Sequence, residues 1–221
     1  MQHLPPIPGL KRLDPGHQYW LHDRPFAVSV TGVLRVQKSD YAMARIQSTT
    51  DIWAPRGHST HRALELFLAN RYDLPLDSAG ESPAESEAEL QQLCTGDYHD
   101  WIAPLLTHPM WEQVQVIASE RATCCVRRGV AGTYDLAYQA SGRRVLADLK
   151  TLGTESSHTY CTRAQLGGYM ALEATHGHHY DHGQTIWARP NRTAFSELYT
   201  RSECLAAWAA AWAWWCAAQG A

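Results

Sequence analysis

Asp135 and Asp148 stand at the two ends of the segment Asp135-Leu-Ala-Tyr-Gln-Ala-Ser-Gly-Arg-Arg-Val-Leu-Ala-Asp148-Leu-Lys150. Ser141-Gly142, between two alternating runs, is a two-residue turn signal, so the segment reads as a β-hairpin. With such a turn the paired positions sum to 283. Gln139 then faces Arg144 and Asp135 faces Asp148, with Cβ atoms about 5 Å apart. Lys150, two residues on, joins the face of the two carboxylates. Tyr134, Leu136 and Tyr138 with Val145, Ala147 and Leu149 form the opposite face, which is apolar and calls for a core. Two like charges across a strand pair repel each other, and a bound divalent cation reverses the sign of that interaction. Paired carboxylate oxygens suit Mg²⁺ or Mn²⁺.

The rest of the chain must position that hairpin. His17-Gln-Tyr-Trp-Leu and Pro25-Phe-Ala-Val read as a short hairpin, and Ser29 caps a helix that begins at Val30. A second helix is expected over Tyr41 to Thr49. Pro55 opens a longer one, with His61, Leu64, Glu65 and Leu68 along one side. Asp73 to Pro83 is a surface loop, rich in Asp, Ser, Gly and Pro, and helical sequence follows to about Leu106. Strands are expected over Gln113 to Val126, Val130 to Gln139 and Arg143 to Lys150. A helix over Tyr160 to Thr175, a hairpin of Thr185 to Arg189 with Thr193 to Thr200, and a helix over Ser202 to Ala218 complete the order. This is an α/β pattern, a mixed sheet covered by helices.

At 221 residues with 45% hydrophobic and 19% charged residues, the chain has ordinary globular composition and enough length for a full core. One domain over 1–221 is expected. No apolar run reaches membrane-spanning length, and prolines occupy the N-terminus where a signal peptide needs an apolar helix, so a cytoplasmic location is expected with no membrane partner. Cys94, Cys124, Cys125, Cys161, Cys204 and Cys216 form no CxxC pair, which writes neither a disulfide framework nor a thiolate metal site. They read as reduced core thiols. A net charge of −3 excludes a wholesale polyanion coating, so any nucleic acid must be held in a local groove.

Gly132-Thr-Tyr-Asp135, Asp148-Leu-Lys150 and Gln165-Leu-Gly-Gly-Tyr169, behind a Gly57-x-x-x-His61-x-x-x-Glu65 helix, resemble the PD-(D/E)XK nucleases of the RecB, RecE and mitochondrial genome maintenance exonuclease type. The resemblance covers about residues 17–200, including His17-Gln-Tyr-Trp and Ser29-Val-Thr31, which look like the opening of phage-encoded members. Asp-x-Lys alone is a weak signal; four elements in order are a strong one. Asp148 stands where Glu is more usual. The resemblance implies a restriction-endonuclease-like core with a mixed β-sheet flanked by helices, and a Trp-rich helix over 202–218 beyond it. It makes His61, Asp135, Asp148 and the Leu149 carbonyl ligands for one or two Mg²⁺ or Mn²⁺ ions, with Glu120 as an additional acid at the metal. Glu65 is either beside that shell or merely on the surface. The iron-sulfur branch needs a cysteine trio near the C-terminus that Cys204 and Cys216 cannot supply, so no cluster is expected.

Lys150 is one of three lysines, with Lys11 and Lys38, in an arginine-rich chain. A compact ammonium there would orient the attacking water and stabilise the charged transition state. Gln165 and Tyr169 share a helix face and would hold the substrate strand. Arg127, Arg128, Arg143 and Arg144 read as a cluster at strand ends, either phosphate contacts or ordinary turn arginines. Trp53 and Tyr19 could stack on an unpaired base or simply pack. The run His176-Gly-His178-His179-Tyr-Asp181-His182 reads first as a solvated loop, with a transition-metal site as the sharper alternative. Trp208, Trp212 and Trp215 form one helix stripe and Trp214 points away from it, toward a second copy or a recombination partner if not toward the N-terminal segment. The function expected is a Mg/Mn-dependent deoxyribonuclease, an exonuclease acting on linear ends or single strands in phage or bacterial recombination and repair and leaving a 5′-phosphate. The alternative is a non-catalytic module of the same fold that binds nucleic acid or a partner.

Overall fold

The computed structural model describes residues 3–13, 18–76 and 82–220. Leu10–Leu13 (β1), Gln18–Leu21 (β2) and Arg24–Pro25 (β3) form a small antiparallel sheet. The start of the expected hairpin at His17 lies outside the described residues, as does the loop stretch 77–81. Val28–Ser29 (β4) leads into Val30–Arg35 (α1), where the Ser29 hydroxyl accepts the Gly32 N–H at 3.0 Å, as the capping signal predicts. Asp40–Ser48 (α2) is followed by Thr50–Tyr72 (α3). Pro55 lies inside α3 rather than at its start. The helix begins five residues earlier because Thr49 ends α2 with its hydroxyl on the Arg45 carbonyl, while the Trp53 indole caps the Ile46 carbonyl at 3.1 Å.

Pro83–Thr95 (α4), opened by a Ser82/Glu85 capping box, and His99–Leu106 (α5) lead to Gln115–Cys125 (β5), Val130–Ala140 (β6) and Arg143–Thr151 (β7). Arg163–Ala174 (α6) crosses over to His182–Arg189 (β8). Arg192–Phe195 (β9), Tyr199–Thr200 (β10) and Arg201–Gln219 (α7) close the order. The seven-stranded sheet is mixed: β5 and β7 run antiparallel to β6, β8 is parallel to β7, and β4 is parallel to β6. The fold is therefore a mixed α/β one. Among the described residues no helix is long and apolar enough to cross a membrane.

The hairpin register follows the turn. Ser141 (φ 49) and Gly142 (φ 76) are both left-handed, the conformation of a type I′ turn, and the pairs Ala140↔Arg143 through Leu136↔Ala147 keep the predicted sum. Both faces are buried, however, so neither is a solvated polar face. Leu136, Tyr138, Val145, Ala147 and Leu149 pack against Leu64 and Leu68 of α3. Ala137 and Leu146 pack under α6 and α7, with Leu166, Met170 and Trp208. Central strands covered by helices on both sides are expected to be apolar on both.

Tyr134 departs from the expected alternation. It lies on the α6 side, its ring 6.1 Å from Tyr169 and its hydroxyl 3.0 Å from that of Tyr180. Tyr134 and Leu136 pack on opposite sides of the sheet, and Glu120, across from the residue between them, has a left-handed φ of +42 in the middle of a strand whose register shifts between Val116 and Ala118.

Helix α6 reaches α7 through Gly167: a Cβ there would lie 1.9 Å from the Cys204 carbonyl oxygen. A Cβ at Gly168 would lie 2.7 Å from Val30 of α1, so packing accounts for both glycines of Gln165-Leu-Gly-Gly-Tyr169. Cys124, Cys125 and Cys204 are buried thiols, but Cys161 and Cys216 are exposed and Cys94 is half-buried, so the expected set of core thiols holds for three of the six.

Candidate metal-dependent active site

Strand β6 is paired along one edge by β5, but its other edge is shared. There β7 pairs with residues 136–140 and β4 with Val130 and Ala131, which leaves 132–135 without a strand partner on that side. The sheet forks at Asp135. The Asp135 carboxylate takes over the missing ladder contact by accepting the Leu149 N–H. Because the N–H and C=O of one strand residue point the same way, the Leu149 carbonyl also faces the fork.

Three elements bring ligands to this point. His61, from α3, places Nδ1 at 3.2 Å from Asp135 and 3.5 Å from Glu120. These three are the one group among the described residues with enough ligand atoms close together to share a cation. Glu120 reaches it because its left-handed backbone turns the side chain onto the α3 face. A non-glycine residue held in that region typically costs about 1–3 kcal/mol and persists where surrounding structure holds it. Asp148 faces the α6 side instead, with one oxygen 2.6 Å from the Lys150 ammonium and the other accepting from Gln165 Nε2 at 2.7 Å. Gln165 Nε2 also reaches the Tyr169 hydroxyl at 3.3 Å.

The electrostatics are those of a crowded, partly dry cleft. Burial pushes Glu120 up to about 7, opposed by its hydrogen bond to His61. Burial likewise raises Asp148 to about 6, opposed by the Lys150 charge. Burial alone would lower His61, but the charge and hydrogen bond of Asp135, then Glu120, carry it up to about 10. Asp135 stays below the usual carboxylate range: burial pushes up, while His61, Lys150 and the Leu149 N–H outweigh it. Lys150 lies above the ordinary lysine value, since Asp148 and Asp135 outweigh its burial. The cluster thus holds protons that a cation would replace. One imidazole nitrogen with carboxylate oxygens fits Mn²⁺ and Mg²⁺, the nitrogen favouring the former.

Several sequence expectations are placed elsewhere. Glu65 is paired with Arg62 at 2.9 Å and reaches the cleft only through repulsion of Glu120. The four arginines do not form one patch. Arg127 and Arg128 lie at one end of β6 and Arg143 and Arg144 beyond the other, separated by 11 residues of strand, about 35 Å. Arg128 rests on Trp212 and Arg144 on Tyr180. Tyr19 is buried with its hydroxyl on Thr133, so it packs rather than stacks on a base, whereas Trp53 is exposed. In the histidine run, His176 holds the Cys124 carbonyl at 2.8 Å and His179 faces Arg201. Trp208 is buried, Trp212 and Trp215 stack at 4.9 Å, and Trp214 is 67% exposed.

Two residues that bear on the cleft were not read from the sequence. Tyr160, exposed and edge-on to Trp187 at 5.0 Å, interacts with both Lys150 and Asp148. The Lys38 ammonium is held below its ordinary value by partial burial, by Arg35 and by Lys150. Neither has a local pattern that gives it away, since each arrives through the folding of a loop.

No family model matches this chain, and no curated protein matches it. Among solved structures it is similar to the crystal structure of SSO0001, at 14% identity over 69% of this chain and 73% of that one, with a TM-score of 0.33, a likeness too distant to carry an argument about activity.

Proposed function

We propose that the protein is a divalent-cation-dependent deoxyribonuclease with a PD-(D/E)XK core, acting on phosphodiester bonds at the fork between β6 and β7. The observation that carries this reading is the convergence of His61, Glu120, Asp135, Asp148, Lys150 and Gln165 from five elements on one opening in the sheet. His61, Asp135 and Glu120 would hold the cation, with the Leu149 carbonyl and Asp148 at its border. When bound, such an ion polarises a phosphoryl oxygen and makes water a stronger nucleophile at neutral pH.

The chain's own groups divide the remaining work. The charges of Asp148 and Asp135 outweigh burial and hold Lys150 above the ordinary lysine value, which suits its ammonium to orienting water and stabilising negative charge on the phosphoryl group. Gln165 fixes Asp148 by donating to its carboxylate, so it would act by holding that acid in place. Tyr169 is 3% exposed, so it supports Gln165 instead of binding the strand itself.

An exonuclease of recombination or repair remains the favoured form. The test is direct. End-labelled linear, circular and single-stranded DNA are incubated with Mn²⁺ or Mg²⁺, and cleavage of at least the linear or single-stranded form is expected. No product from any substrate with either ion overturns the proposal.

A further inference from the structure

Arg56, one residue before Gly57 on α3, is 8% exposed. A guanidinium keeps its charge in a protein, so a buried one requires an acceptor. Among the described residues Arg56 has none: its side chain takes part in no ion pair or hydrogen bond, and its Nε is buried without an acceptor. The charge instead stands over the Trp101 ring at 5.4 Å, and Trp101 is fixed in turn by its indole N–H on the Leu152 carbonyl at 2.7 Å. A cation–π contact orients a guanidinium but leaves its five donors unspent. The head group is therefore held in place with its hydrogen bonds unmade.

Its position gives those donors a use. A Cβ at Gly153 would lie 3.8 Å from Arg56 Nη1, so the guanidinium ends beside the residue three beyond Lys150, where β7 runs out. Three residues of strand span about 10 Å, and about three nucleotides of a strand rising 3.4 Å each cover the same distance. Gly153 presents bare backbone, and Thr154, Ser156 and Ser157 gather their hydroxyls in the next turn. Glu155, the acid of that turn, is turned toward Asn191 at 3.5 Å.

We propose that Arg56 binds a backbone phosphate of the DNA strand about three nucleotides from the one positioned by Lys150, a substrate subsite on the α3 side of the cleft. The inference rests on the nuclease reading above.

The experiment uses the full chain and a fluorescein-labelled single-stranded 20-mer, with binding followed by anisotropy in Ca²⁺ across a KCl series and cleavage followed in Mn²⁺. Arg56→Met keeps an apolar stem on Trp101 and should weaken binding about tenfold and lower the slope of log K against log salt by roughly 0.7, the share of one single-strand phosphate contact. Arg56→Lys should restore the slope. In cleavage the loss should appear in KM with kcat unchanged. Independently of any variant, one methylphosphonate about three nucleotides from the cut should weaken wild-type binding and add nothing in Arg56→Met. A wild type that cleaves DNA, with an unchanged slope and KM in Arg56→Met or no sensitivity to a methylphosphonate on that side, overturns the subsite and leaves the nuclease reading standing. Wild-type protein that binds but does not cut, with the slope increment lost in Arg56→Met, upholds the subsite and removes the nuclease. A wild type that binds no DNA overturns both.

Discussion

Cation binding at the fork should release protons, in numbers set by the cluster. In the metal-free protein His61 titrates at about 10 and Glu120 at about 7. A ligand must give up its proton to bind metal, so lower pH weakens binding and higher pH strengthens it. Near pH 8 the imidazolium of His61 is the main proton the cluster holds, so a cation bound there should release about one proton. At lower pH Glu120, raised by burial, takes up its proton as well, and the release should rise from about one toward two. The apparent Mn²⁺ affinity should then climb about tenfold per pH unit between roughly pH 7 and 9, a gain of about 1.4 kcal/mol per unit, and more steeply below that range. Titration calorimetry in two buffers of different ionisation enthalpy counts the protons directly. His61→Ala should remove the imidazolium's share of the release and leave only what Glu120, no longer opposed by His61, still holds. Release close to zero from the wild type at that pH would show that His61 is either uncharged in the free protein or no ligand, and the assignment of the cluster would fall.

Lys150→Ala should abolish cleavage while Mn²⁺ affinity changes by less than about threefold, and a loss in rate of tenfold or less, about 1.4 kcal/mol, would remove Lys150 from the chemistry. Gly167→Ala should lower the melting temperature sharply, by about 1–3 kcal/mol of stability or more, because the new methyl meets the Cys204 carbonyl of α7; an unchanged melt would contradict the close approach of the two helices. Trp214→Glu should lower the mass found by light scattering if the exposed indole mediates self-association, and a wild type already monomeric at micromolar concentration sinks that idea.

The hairpin and its register were legible because two rules of strand geometry, a two-residue turn and a period of two, leave no freedom once Ser141-Gly142 is identified. The same alternation misplaced Tyr134, since it cannot anticipate a left-handed Glu120 in the neighbouring strand. Proximity at strand ends was misjudged for the four arginines because a short gap in numbering on either side of an 11-residue strand is a long distance in space. Asp148 was expected beside Asp135 at one cation. The structure turns it toward Lys150 and Gln165 on the α6 side, a division made by helix packing that no strand pattern records. Arg56 did carry a signal: positions 52, 53, 59 and 60, its neighbours on a helix, hold no acid, so its charge had no local partner.

The Ser141-Gly142 turn acts as the reading frame of the cleft. It touches none of the reactive groups, yet Asp148 and Lys150 face where they do only because an even number of residues separates the two strands. One inserted residue carried into β7 would present Ala147 in place of Asp148 and turn the ammonium away, whereas two inserted residues, one in each strand, would restore both. Evolution or design can therefore lengthen this hairpin in even steps, or by loops that bulge outside the Ala140↔Arg143 pair, and a single-residue insertion scan should yield activity that alternates with parity.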